Sequence, residues 1–128
     1  MTRTADRRQA DRQGRIAERV ALFYLIVTGH RVLARRWRGT GGEIDLVARR
    51  GKRIIFCEVK YRQTADEHAV PSPKQRERIA RAALQFCRQR RISPEFEHRF
   101  DLIQISPFFA GMLCRVRHIS DAWWTTPD

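Results

Sequence analysis

Between Gly14 and Thr28 the apolar residues fall into two rows at helical spacing, Ile16, Val20, Phe23 and Val27 in one and Ala17, Ala21 and Leu25 in the other. The pattern predicts a buried, wide-faced helix closed by Gly29. Residues 1–12 lack an apolar stripe and are expected to form a flexible basic N-terminus, frayed or extending that helix. "HRVLARRW" alternates weakly and is heavily charged, which suits an edge strand. "EIDLVAR" and "RIIFCEVKYR" follow as strands joined through Arg50-Gly51, a link short enough for an antiparallel hairpin. After a loop from Gln63 to Pro71, Ser72-Pro73 starts a second helix, with Gln75 placed to complete a capping box. Ile79, Ala83, Phe86 and Cys87 mark its inner face as far as about Arg90. "RRISPEFEH" connects to a fourth strand, "RFDLIQI"; "SPFFAGM" turns into a fifth, "LCRVRHI", and a last short turn is expected from Asp121 to Trp124. The order is α-β-β-β-α-β-β. A helix crossing between the third and fourth strands makes those two parallel, so the expected fold is α/β, a mixed sheet flanked by helices.

Charge changes this picture of an ordinary α/β domain. In 128 residues, 26 Lys and Arg stand against 14 Asp and Glu, a net charge of +12. Such a surface expects a polyanion as partner. Membrane is the weaker choice, because no apolar run approaches the ~20 residues of a spanning helix. No signal-peptide core precedes the first helix, so a cytoplasmic location is expected. The length suits a single domain over residues 13–128. Cys57, Cys87 and Cys114 are odd in number and widely spaced, which suggests neither disulfides nor zinc; they are expected to be reduced and mostly buried. Lys52, Lys60 and Lys74 are the only lysines, and an arginine-dominated surface suits phosphate, although coding bias would give the same composition.

Against that charge, "GGEIDLVARRGKRIIFCEVKYR" concentrates acids in one hairpin. Alternation puts Glu43, Asp45 and Val47 on one face and Ile44, Leu46 and Ala48 on the other. On the next strand Ile54, Phe56, Glu58 and Lys60 share a face. With Arg50-Gly51 as the turn, Asp45 is expected opposite Phe56 and Glu43 opposite Glu58, making Asp45 and Glu58 diagonal neighbours roughly 7–8 Å apart at the backbone. Two such carboxylates can converge on one Mg²⁺ or Mn²⁺, and Lys60 could direct a water or neutralise a phosphate. Surface ion pairing is the plainer alternative, but the apolar flanks imply strands covered on both faces.

The segment "GEIDLVA", a short turn and "IIFCEVKYR" resembles the motif of the YraN-like family, a largely uncharacterised group within the PD-(D/E)XK nuclease superfamily. The resemblance runs from Gly14 to about Trp123. It makes Asp45 the motif acid and Glu58-Val59-Lys60 the E-x-K element, and it implies a restriction-endonuclease-like core. "GRIAERVA" matches the family's G-x-x-G-E-x-x-A pattern with Glu18 as a further acid. Ala17 departs from its usual Gly and Cys57 from its usual Val. The implied activity is metal-dependent hydrolysis of phosphodiester bonds, DNA before RNA, with Asp45, Glu58, Lys60 and Glu18 catalytic. Asp45, Glu58 and the Val59 carbonyl would hold Mg²⁺ or Mn²⁺, with Glu18 acting through water. Lys74 and Gln75 would stand at the mouth of the site, where a helix N-terminus suits an anion; a capped surface helix explains the same residues. Arg62, Arg76 and Arg78 would follow phosphates, and the helix arginines Arg76, Arg78, Arg81, Arg88 and Arg90 are all expected in solvent. Related nucleases often act as dimers, so the resemblance allows a homodimer.

Other residues carry less. Glu43 could be a further ligand or pair with Arg62 or Lys60. "GTGG" at 39–42 precedes a strand and lacks a P-loop Lys, so it reads as a flexible turn that lets the strand approach substrate. His30, His68, His98 and His118 show no ligating spacing; His68, after the E-x-K strand, is the one singled out. Trp37, Trp123 and Trp124 suit packing better than base stacking. A nucleic-acid-binding module without turnover, or an assembly protein using an edge strand, would fit the same pattern.

Overall fold

The computed structural model describes residues 3–64, 70–109 and 111–123. Helix α1 (Arg3–Val27) leads through β1 (Arg31–Arg38), β2 (Glu43–Arg50) and β3 (Arg53–Tyr61) to helix α2 (Pro73–Gln89), then β4 (Glu97–Phe108) and β5 (Leu113–Ile119). The five strands form one sheet in the order β1-β2-β3-β4-β5, antiparallel except for the parallel β3–β4 pair. The helix and strand order, the edge position of β1 and the mixed sheet are as the sequence predicts.

The helices lie on opposite faces. Ala17, Ala21 and Leu25 of α1 pack on Leu46, Ala48, Ile55, Cys57, Ile103 and Ile105. Ile79, Ala82, Ala83 and Phe86 of α2 pack on Val47, Ile54, Phe56 and Leu102, with Trp123 closing that side. The α1 face differs from the expectation. Ile16, Phe23 and Val27 are exposed, and the narrow Ala17-Ala21-Leu25 stripe alone is fully buried. Two alanines on one stripe let the helix backbone approach the sheet, which the bulkier row would hold away. Gly29, at φ 89, ends α1 as expected, with the Gly29 N–H donating to Ile26 O and the His30 N–H to Leu25 O. Residues 3–12 are exposed turns of the same helix.

The hairpin register also differs. The turn is Gly51-Lys52, not Arg50-Gly51: Arg50 still pairs with Arg53, and Gly51 takes φ 61. The β2 residues from Leu46 to Arg50 therefore each face a β3 residue two positions beyond the expected one, so Val47, not Asp45, faces Phe56. Strict alternation breaks as well, since Ile44 packs with Val47 rather than with Leu46 and Ala48. β4 runs on through Ser106 and Pro107, which had read as a turn. Pro107 is accommodated because β3 pairing ends at Tyr61–Ile105, leaving its missing N–H on an uncovered side.

The Gly39–Gly42 loop is not a free turn. Thr40 donates from N and Oγ1 to Gln85 Oε1 at 2.8 and 3.2 Å, and a Cβ on Gly42 would stand 2.7 Å from Arg78 O. Absence of a side chain lets β2 start hard against α2. Of the thiols, Cys57 is buried, Cys87 half-buried and Cys114 exposed, the last against expectation. Trp37 and Trp123 are packing residues, against Phe86 and Phe100 respectively; His68 and Trp124 lie outside the described residues. Among the described residues no helix is long and apolar enough to cross a membrane.

Candidate active site

The paired register of β2 and β3 ends at Leu46–Cys57, and Asp45, the next residue of β2, lies beside Glu58 and Val59, feeling the Glu58 charge and bonding the Val59 N–H. On the other side of β2, Arg36 adopts φ 47, and the pairs flanking it are Arg35–Leu46 and Trp37–Ile44. A left-handed arginine in a strand is a local kink, of a kind that costs ~1–2 kcal/mol. It frees Asp45 from regular pairing on that side, and Asp45 Oδ2 instead accepts the Val59 N–H at 2.8 Å.

Glu58 is buried, its side chain only 8% exposed, and its Oε1 lies 3.0 Å from Lys60 Nζ. The same oxygen accepts from Gln75 Nε2 at 3.1 Å. Gln75 explains how α2 reaches the site. Ser72 caps the helix by accepting the Gln75 N–H at 3.2 Å, but the reciprocal half of the capping box is replaced by the Gln75–Glu58 bond. The first turn of α2 thus reaches the carboxylate through the Gln75 side chain, with the positive end of the helix dipole on that side.

Burial, followed by the neighbouring Glu58 charge, pushes the Asp45 carboxyl up to about 7; Glu18 adds in the same direction, while the Val59 N–H and Lys60 oppose it. A carboxyl raised in this way is a frustrated anion, and a nearby cation would relieve it. The donors are hard oxygens on facing strands, the chemistry that Mg²⁺ and Mn²⁺ select. The pair therefore fits a divalent ion, with two carboxylates: among the described residues no group of three or more His, Cys, Asp or Glu gathers for metal binding.

The other expected residues are placed as follows. Glu18 Oε2 accepts from Arg36 Nε at 2.7 Å, beside a small cavity lined also by Arg15, Arg19 and Arg35; its charge acts on Asp45. Glu43 is exposed and pairs with Arg38, at 3.1 Å, rather than with Arg62 or Lys60. Lys74 and Arg78 are exposed on α2. Arg76, expected to be free, is half-buried and donates to Pro71 O at 2.7 Å, while Arg62 donates to Tyr61 O at 2.8 Å. Arg81 pairs with Glu77 one turn away, and Arg90 lies over the Phe86 ring.

A second polar cluster went unread in the sequence. Asp101, fully buried, receives Arg99 Nε and Nη2, both at 2.8 Å, His118 Nε2 at 2.6 Å and the Asp121 N–H at 3.0 Å. Tyr24 Oη stands 2.7 Å from the other His118 nitrogen, Nδ1. Burial alone would raise the Asp101 carboxyl, but the His118, Arg99 and Asp121 hydrogen bonds hold it at about 2. The available signal was an acid inside the apolar run "FDLIQI", with an arginine two residues before it on the same face.

The molecule is thus an α/β protein whose mixed sheet carries a paired-carboxylate and lysine site on its central hairpin. Comparison places it further: residues 17–105 match the pattern of the uncharacterised protein family UPF0102. A UPF0102 protein of Paramagnetospirillum magneticum is 42% identical over 120 residues, covering 89% of this chain and 88% of the relative. One from Maricaulis maris is 46% identical over 106 residues, covering 81% and 83%. The chain belongs to the UPF0102 family, the YraN-like group. The matched segment contains Glu18, Asp45, Glu58, Lys60 and Gln75.

Proposed function

We propose that this protein is a cytoplasmic nuclease of the PD-(D/E)XK type, using Mg²⁺ or Mn²⁺ to hydrolyse phosphodiester bonds of nucleic acid, DNA before RNA. One observation carries the reading: Asp45 Oδ2 is held by the Val59 N–H next to Glu58, and the Lys60 ammonium stands 3.0 Å from Glu58 Oε1. Asp45, Glu58 and the Val59 carbonyl would hold the ion, which when bound supplies Lewis acidity toward the phosphoryl oxygen and a more acidic water. Lys60 is placed to orient that water and to offset charge building on phosphate. Gln75 fixes the Glu58 carboxylate from α2, and exposed Lys74 and Arg78 on the same helix would steer the backbone. Hydrolysis adds water across one P–O bond, leaving a phosphate monoester and a hydroxyl.

The test is cleavage of duplex, single-stranded and branched DNA with and without Mn²⁺. Glu58→Ala and Lys60→Ala should each abolish it, and activity surviving in both would remove the assignment. A second reading has its own support, the gathering of two acids rather than three among the described residues: a binding module that keeps the fold without turnover. It predicts salt-sensitive binding, no cleavage, and unchanged affinity in Asp45→Asn.

A further inference from the structure

At the turn end of the hairpin, away from Asp45 and Glu58, a cavity of about 820 Å³ opens between the end of α1 and the sheet. It lies within the size range of small-molecule sites, ~300–1,000 Å³. From Arg53 at this end to Glu58, five residues of strand at ~3.3 Å each put the two places on the order of 17 Å apart. Arg50, Lys52, Arg53 and Arg99 on its walls outnumber Glu95 and Glu97. Arg53 is paired with Glu97 at 2.9 Å, and Arg99 with Asp101. Among the described residues, no ion pair engages Arg50 or Lys52, which flank Gly51 and are exposed. His30, also in the wall, is held below its ordinary range by burial first and then by Arg50, His118 and Arg99. The cavity is therefore electropositive.

Tyr24 and His118 also line it, and a chain of contacts runs from Tyr24 Oη through His118 to the buried Asp101. Ionised Asp101 can only accept, so the 2.6 Å contact makes His118 Nε2 the protonated nitrogen. With His118 neutral, Nδ1 accepts the Tyr24 O–H and the phenol oxygen offers a lone pair to the cavity. With His118 protonated, Nδ1–H donates to Tyr24, and the phenol O–H turns outward as a donor. Such a chain can meet either P–OH or P–O⁻. A phosphate monoester, whose second ionisation lies near pH ~6, presents both forms near neutrality; a diester or a sulfate does not.

We propose that this cavity binds a phosphate monoester, with Arg50 and Lys52 taking the charge and the Tyr24–His118–Asp101 chain exchanging a proton with the bound group. The monoester could belong to a free mononucleotide or to the phosphorylated end of a strand. The proposal does not depend on the nuclease reading.

Isothermal titration of the full chain at physiological salt tests it, with adenosine 5′-monophosphate, inorganic sulfate, and one oligonucleotide with and without a 5′-phosphate as probes. The expected result is saturable binding of a phosphate-bearing probe over sulfate, with fractional proton uptake seen on changing buffer ionisation heat. Tyr24→Phe, which removes one oxygen and keeps the ring, should weaken it roughly tenfold, and the Arg50→Ala/Lys52→Ala pair by tenfold or more. Asp45→Asn should leave it unchanged, which separates this site from the hairpin acids. So should Arg8→Ala/Arg12→Ala, which removes the same charge from the exposed start of α1. Binding as tight to the monophosphate as to the phosphorylated oligonucleotide assigns free mononucleotides; tighter binding that needs the 5′-phosphate assigns strand ends. Sulfate binding as well as the monophosphate, equal loss in the Arg8/Arg12 variant, saturable binding of the oligonucleotide alone and regardless of its 5′-phosphate, or no saturable binding would each overturn the proposal.

Discussion

Replacing Asp45 by Asn should make the metal-free protein more stable at neutral pH. Asn keeps the shape and an oxygen able to accept the Val59 N–H, but it removes the charge that burial and Glu58 oppose. The carboxyl stands at about 7 in the folded protein against an ordinary 3.8. A folded value above the unfolded one means that the proton favours folding: the associated stability is full below pH ~3.8, falls as pH rises, and is gone above pH ~7. Three pH units at ~1.4 kcal/mol each set a ceiling of about 4 kcal/mol on the cost of the ionised form above pH 7, and about 2 at pH 5. The weaker bond that a neutral amide makes to Val59 takes back ~1 kcal/mol. Urea unfolding in EDTA should therefore show Asp45→Asn more stable than the parent by ~1–3 kcal/mol at pH 8, with the advantage shrinking by pH 5. Added Mn²⁺ should then stabilise the parent and leave the variant unmoved. A variant no more stable at pH 8 in EDTA, or an advantage independent of pH, would refute the claim that Asp45 and Glu58 repel each other in a buried site.

Other consequences can be measured directly. Lys60→Ala should lower Mn²⁺-dependent cleavage by ~100-fold or more while leaving duplex binding largely intact, as read by single-turnover rates beside fluorescence anisotropy. Gly42→Ala should cost ~1–3 kcal/mol, because the new Cβ meets the Arg78 carbonyl, a backbone atom that cannot swing away; a thermal melt would show it. Asp101→Ala should cost ~2–4 kcal/mol by stranding the half-buried Arg99 and His118 groups. In the parent, the Asp101 carboxyl, held at about 2, contributes ~2 kcal/mol that is present above pH ~4 and lost as pH falls toward 2; acid titration of Asp101→Asn should lack that component.

The strands were legible because their burial writes itself as apolar runs, and the parallel β3–β4 pair followed from one intervening helix. Register was not legible, because it turns on which two residues occupy the tight turn. Gly51 can take φ 61 at either the first or the second turn position as far as sequence goes, and the choice put Val47 rather than Asp45 opposite Phe56. The buried face of α1 failed for a different reason. Hydrophobicity favoured Phe23 and Val27, whereas close approach to the sheet favoured Ala17 and Ala21, and packing won. The membership of Asp45, Glu58 and Lys60 in one site was readable because they are near in sequence on adjoining strands. Asp101 and His118 share an antiparallel pair too, but Tyr24 reaches them from α1, 94 residues away from His118, and no local pattern announces such a contact.

The Glu58–Lys60 ion pair has a kinetic meaning for any metal that uses this site. Lys60 is a tethered competitor, kept near Glu58 at an effective concentration set by a single intervening residue rather than by the solution. A monovalent ion arriving there would exchange one positive charge for another and gain little. A dication held by Asp45 and Glu58 would bring an extra charge for Asp45 and would compete with the Lys60 ammonium for Glu58. Lys60 would then be the side chain left free to meet phosphate.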